Sequence, residues 1–215
     1  MSTKVAEHKQ VVRHRQIDKL SKVDKFAQRR AQLANSALRT LADLGYARTS
    51  LREIAQNSEF SHGVLHYYFR DKVDLITYCV RQYKASTVSR YDEVLTTSVT
   101  AEAMRDRFVT GMATSLRRDT DLHRLWYDLR GQSMFEESFR DDVIEIQSSI
   151  ERMIGRIVSQ YAERSGLRLA ASPGLVYALV DGVFQHALLR HLAGDERAAD
   201  DLPDDLGLIL DRFVV

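Results

Sequence analysis

From residue 24 onward, apolar side chains return at helical spacing. Phe26, Ala27, Leu33, Ala34, Ala37, Leu38 and Leu41 predict one helix over 24–44, and Gly45 supplies its stop. After the turn "YARTS", Ser50 opens a short second helix with Leu51, Ile54 and Ala55 facing inward. Glu53 stands three positions after Ser50, the spacing of a reciprocal cap between side chains and backbone amides. "NSEF" reads as a turn, and Ser61 caps a third helix of about two turns with Leu65 and Phe69 inward. "RDK" turns again. Asp71 then caps a long fourth helix striped by Val73, Leu75, Ile76, Cys79 and Val80. Further helices fit 101–118, 120–133, 137–165, 172–193 and 203–214. No strand-like alternation of any length interrupts them. The pattern predicts an all-α chain of about nine helices.

Composition narrows the reading. The 215 residues suit one domain or two small ones. Prolines number only 2, as a helical chain requires, and a single cysteine, Cys79, cannot form a disulfide within the chain. No stretch approaches the ~20 continuous apolar residues of a membrane span. The expected setting is the cytoplasm, with no membrane partner. Residues 1–90 hold 17 Lys+Arg and 8 Asp+Glu, a charge of +9, and the remainder holds 14 and 22, a charge of −8. A basic N-terminal part on an acidic body fits a nucleic-acid-binding head, although a solvated charged surface produces the same count.

The order of helices within residues 23–70 is that of a helix-turn-helix head, in which the second short helix enters the major groove of double-stranded DNA. The hydroxyls of Ser50 and Ser61 lie where phosphates approach. Gly63 lets the backbone come close to the groove. His62, Val64 and Tyr67 are placed for base edges or thymine methyls, and His66 and Tyr68 for phosphate oxygens. Arg52, near the start of the second helix, suits a phosphate or a base, or else an ion pair with a neighbouring acid. Lys72 opposes the dipole of the fourth helix, which makes local sense if a phosphate occupies that helix end. Residues 1–22 read as a basic flexible arm, either a tail or a follower of the DNA backbone.

"ANSALRTLADLGYARTSLREIA" and "FSHGVLHYYFRDKVDLI" carry a family resemblance. Residues 30–76 resemble the DNA-binding domain of the tetracycline-repressor (TetR) family of bacterial transcription regulators. The family usually has tyrosine where this chain has His66, and a turn glycine where it has Glu59. Glu59 must therefore adopt a strained conformation or alter the turn. The resemblance implies that residues 71–215 form a helical ligand-binding and dimerisation domain, that a small-molecule effector controls operator binding, and that two copies associate.

Residue types in the body suggest where. Tyr83, Phe108, Met112, Trp126, Tyr127, Arg130 and Met134 are the candidate lining of an apolar effector pocket with polar anchors, although aromatic and methionine side chains at this spacing also build plain core. Residues 173–194 are apolar nearly all round, so one face should meet a second copy. Leu175, Leu179, Gly182, Val183, His186, Leu206 and Leu210 are the candidate homodimer contacts. No phosphate loop, HExxH pair or nucleophile elbow is present, and no cofactor is called for. His62 and His66 have metal-ligand spacing but no third ligand nearby. The expected activity is sequence-specific transcriptional regulation, most simply repression. A ligand-independent architectural DNA-binding protein and an all-helical enzyme are the alternatives.

Overall fold

A computed structural model describes residues 24–38, 40–41, 44–45 and 49–215. The basic arm at 1–22 lies outside these residues. Helix α1 covers 24–38 and continues at 40 and 41. It is followed by α2 (Leu51–Gln56), α3 (His62–Tyr68), α4 (Lys72–Thr97), α5 (Ala101–Arg118), α6 (Thr120–Gln132), α7 (Arg140–Arg164), α8 (Pro173–Leu192) and α9 (Ala198–Phe213). Among the described residues there is no strand, only one isolated bridge between Leu169 and Val214.

The chain divides into two compact units. One holds the described residues through Thr40 together with Thr49–Cys79, and the other holds Val80–Val215 with the described part of Leu41–Arg48. The boundary falls within α4, not ahead of it at residue 71. Leu75, Ile76 and Cys79 are fully buried, and Cys79 Sγ donates to Ala34 O at 3.3 Å, so the first turns of α4 complete the head's core. That core also holds Leu33, Ala37, Leu51, Ile54, Leu65 and Phe69. The Arg30 guanidinium lies over the Phe69 and Tyr78 rings and pairs with Asp74 at 2.6 Å.

Caps set the ends of the head's helices. Glu53 N donates to Ser50 Oγ and Ser50 N donates to Glu53 Oε2, at 3.2 and 2.8 Å. Ser61 Oγ accepts from Val64 N, and Asp71 Oδ1 from Asp74 N. Gly45 ends α1 at φ +74°, its N–H bonded to Leu41 O. Glu59 is unstrained, since no described non-glycine residue has positive φ. The turn instead closes on Ser58, whose hydroxyl accepts from Phe60 N at 3.2 Å.

In the second unit α8 packs against α7 and α9, and α5 against α9. Phe108, Leu116, Ile157, Val158, Val176, Val180, Leu202 and Leu206 form its buried centre. Helix α9 begins five residues before the expected start at Pro203. Ala198, Ala199 and Leu202 are buried, which draws the extra turns onto the core and places the proline inside the helix. Leu206 and Leu210 continue that inward stripe at 0 and 1% exposure, so neither can meet a second copy.

Candidate DNA-facing surface and internal cavity

Helix α3 presents one face outward. Leu65 and the capping Phe69 are buried, whereas Ser61, His62, Gly63, His66 and Tyr67 are exposed and Val64 and Tyr68 partly so. Tyr67 is 72% exposed. A Cβ on Gly63 would meet nothing within 4 Å, so the helix surface there is open. The Tyr68 ring lies 4.7 Å from Phe26 of α1, the Tyr67 ring 5.0 Å from Tyr68, and the His62 and His66 rings 4.4 Å apart. The aromatic crowding of this helix is thus a set of mutually supporting rings, with Tyr68 spent largely on packing. Ser50 and Arg52 are exposed at the start of α2. Lys72 sits in the first turn of α4 beside Asp71 and Asp74, which already supply negative charge to that helix end.

Inside the second unit lies a cavity of about 50 Å³. Its walls come from α4 (Lys84, Thr87, Tyr91), α5 (Met112, Ser115), α6 (His123, Trp126, Tyr127), α7 (Ile150, Met153, Ile154) and α8 (Tyr177, Val180, Asp181, Phe184). Of the candidate residues, Met112, Trp126 and Tyr127 line it. Phe108 backs the wall through Tyr91, their rings 5.7 Å apart. Tyr83 stands behind His123, and Arg130 acts through Asp181, donating to Oδ2 at 2.6 Å while the Tyr127 hydroxyl donates to Oδ1 at 3.1 Å. Met134 is not part of the cavity. It follows the end of α6 and is 71% exposed.

The polar lining is the part that aromatic and methionine content could not reveal. His123 Nε2 meets Ser115 Oγ at 2.9 Å and Tyr83 Oη at 3.2 Å. Burial, reinforced by Lys84, pulls the imidazole down to about 3, so it is neutral at physiological pH. Burial pulls the Lys84 ammonium down to about 7 against the opposing pull of Asp181 and Asp119. Two signals existed in the sequence. Lys84 stands in phase with the inward positions Ile76, Val80, Thr87 and Tyr91, and Asp181 is the one acidic residue of α8.

Residues 33–79 match the family described as bacterial regulatory proteins, tetR family. The chain is also 29% identical over 189 residues to the HTH-type transcriptional regulator BetI of Burkholderia mallei (strain NCTC 10229), covering 82% of this chain and 90% of that one. Together these matches support a tetR-family transcription regulator. Its fold agrees. FadR of Bacillus subtilis, solved with stearoyl-CoA, superposes with a TM-score of 0.71 at 16% identity, over 84% of this chain and 97% of that one. A putative transcriptional regulator from Saccharomonospora viridis, solved with choline, superposes with a TM-score of 0.71 at 17% identity, over 88% and 98%. The matches support a DNA-binding transcription regulator, and the matched segment runs from α1 through the first turns of α4.

Proposed function

We propose that this regulator represses transcription by fitting α3 into the major groove of its operator and is released when a small molecule occupies the internal cavity. The observation that carries the reading is α4, one helix that supplies Lys72 to the head and Lys84, Thr87 and Tyr91 to the cavity wall. Occupancy that shifts α4 changes operator affinity by its differential affinity for two states of the protein. His62, Val64 and Tyr67 read bases, while Ser50, Arg52, Ser61, His66 and Lys72 hold phosphates. Gly63 admits the backbone to the groove, and Tyr68 props Tyr67.

The working unit is a homodimer joined through α8. Leu175, Leu179, Gly182, Val183 and His186 are at least partly exposed, and Leu189, 61% exposed, extends that stripe by one turn. A Cβ on Gly182 would meet nothing, so a second backbone can approach there. On α9 the outward apolar residue is Leu208, replacing the inward Leu206 and Leu210. Two heads then read half-sites about one helical turn apart.

Anisotropy titration of the DNA upstream of the protein's own gene against a scrambled duplex tests this, at two salt concentrations. Preference for the upstream fragment, weakening with salt, is expected. Lys72→Ala should weaken binding to every sequence and lower the salt slope by about one, whereas Tyr67→Ala should change sequence preference. If both variants bind as the parent does, α3 is not the reading helix.

A further inference from the structure

Three polar groups lining the internal cavity have no hydrogen-bonding or ion-pair partner among the described residues. His123 Nδ1 and Tyr177 Oη are buried without a hydrogen bond, in side chains 5% exposed. Lys84, 7% exposed, has its Nζ held only against the Tyr83 and Trp126 rings, 5.3 Å from each centroid. Among the described residues it has no carboxylate within 4.0 Å, because Asp181 is committed to Arg130 and Tyr127 and Asp119 to Arg118. Burying such groups unpaired is costly, and the cavity is where a partner can stand.

The signs agree on what that partner is. Lys84 is the one lysine or arginine among the cavity's lining residues, and the one lining carboxylate, Asp181, is already neutralised by Arg130. Tyr177 is pushed up by burial and so keeps its proton to donate. An outer groove of about 420 Å³ shares Tyr91 and Ser115 with the cavity and carries Arg90, Arg107 and Arg118 against Asp106 and the adjoining Asp119, which pairs with Arg90 and Arg118. A second groove, sharing Lys84, carries Arg81 and Arg152, with Arg81 paired to Glu145 and Asp142. Both approaches favour an anion. The remaining walls, among them Met112, Trp126, Ile150, Met153 and Phe184, carry no charge of their own. The fold itself does not choose, since similar folds were solved with the anionic stearoyl-CoA and the cationic choline.

We propose that the cavity binds a compact apolar carboxylate, its anionic head taken by Lys84 Nζ and the Tyr177 hydroxyl and its body by the aromatic and methionine wall. The proposal rests on reading this cavity as the effector site. A volume of about 50 Å³ holds a few water-sized groups, which limits the ligand to a short chain or a single ring unless Tyr91 swings toward the outer groove. Gly111 bears on that ring. A Cβ there would come within 3.4 Å of Tyr91 Cε1 and Oη.

Binding also has a proton signature. The groups facing Lys84 are Asp181, Asp119, Arg130, His123 and Tyr83, with Arg81, Arg152 and Glu145 on the outer side. His123 is neutral down to about 3, so Lys84 is the group that titrates near neutrality. A bound carboxylate raises the Lys84 ammonium above its unliganded value of about 7. Affinity then falls as pH rises above that value, by up to about tenfold per unit.

Calorimetry on the full chain with matched probes tests this, using pentanoate, pentanamide and pentylammonium, then benzoate and benzylammonium. Each probe is also added to the operator complex. A carboxylate binding at least tenfold more tightly than its amide and ammonium counterparts is expected. Lys84→Met should remove that preference and its pH dependence, and Tyr177→Phe should weaken the carboxylate several-fold, with circular dichroism unchanged in both. Equal or tighter binding of amide or ammonium, unaltered carboxylate binding by Lys84→Met, or no carboxylate binding overturns the proposal. An ammonium or amide probe that releases the operator would overturn it while upholding the effector reading. A Lys84-dependent carboxylate that leaves the operator complex intact would uphold the anion site and sink the effector reading.

Discussion

Lys84 is held in the folded chain at a thermodynamic cost. Its unfolded value is 10.5 and its folded value about 7. Below about 7 both states carry the proton. Between the two values the unfolded chain binds more protons, so stability rises with pH by at most about 1.4 kcal/mol per unit. Lys84→Met should raise the neutral-pH melting temperature by roughly several degrees and flatten the rise between pH 7 and 9, read by thermal melts. A parent whose melting temperature is flat across that range would contradict the burial of this ammonium. His123 acts on the other side. Its folded value of about 3 lies below the ordinary 6.5, so its contribution is present above 6.5 and drains away as pH falls. The exposed face of α3 was legible in the sequence because caps and aromatic residues carry local signals. Lys84 was not singled out, since one lysine on a long amphipathic helix looks like solvated charge until its neighbours are known.

At the scale of the element, the helices of the head are written in their caps. Ser50 and Glu53 were readable as a reciprocal pair, and the structure joins them through both bonds. Ser50→Ala together with Glu53→Ala should cost about 1 kcal/mol, seen as a lower melting temperature. No measurable change would mean that packing alone holds α2. The start of α9 was misread because Pro203 resembles a first-turn proline. Burial of Ala198, Ala199 and Leu202 outweighs the hydrogen bond lost at Pro203, and no local sequence signal reports that packing. The division inside α4 was hidden for a similar reason. One continuous stripe serves the core of the head up to Cys79 and a different core beyond it.

At the scale of the whole molecule, the apolar girth of α8 announced more than one packing partner, but periodicity alone could not say which leucines face which. The structure separates them. Leu189→Glu places a charge on the exposed stripe and should shift the protein toward monomer in light scattering, with helicity preserved. Leu206→Ala removes a fully buried side chain and should cost about 2–5 kcal/mol while leaving the assembly state as it was. If Leu189→Glu leaves the mass of the assembly unchanged, the α8 stripe is not the joint.

The turn before α3 closes on the Ser58 hydroxyl and asks nothing unusual of Glu59, which is exposed and free of backbone strain. Its charge is therefore separable from the fold. With α3 in the groove as proposed, a carboxylate beside it is expected to repel every duplex alike, to shorten dwell time on random DNA and so to let the regulator scan more of a chromosome per unit time. Glu59→Gln should lengthen those nonspecific dwells in single-molecule tracking while leaving the melting temperature within about 0.5 kcal/mol equivalent of the parent. The resemblance leads one to expect a glycine here for geometry; with the turn closed on Ser58, the Glu59 charge is expected to set the speed of the search instead.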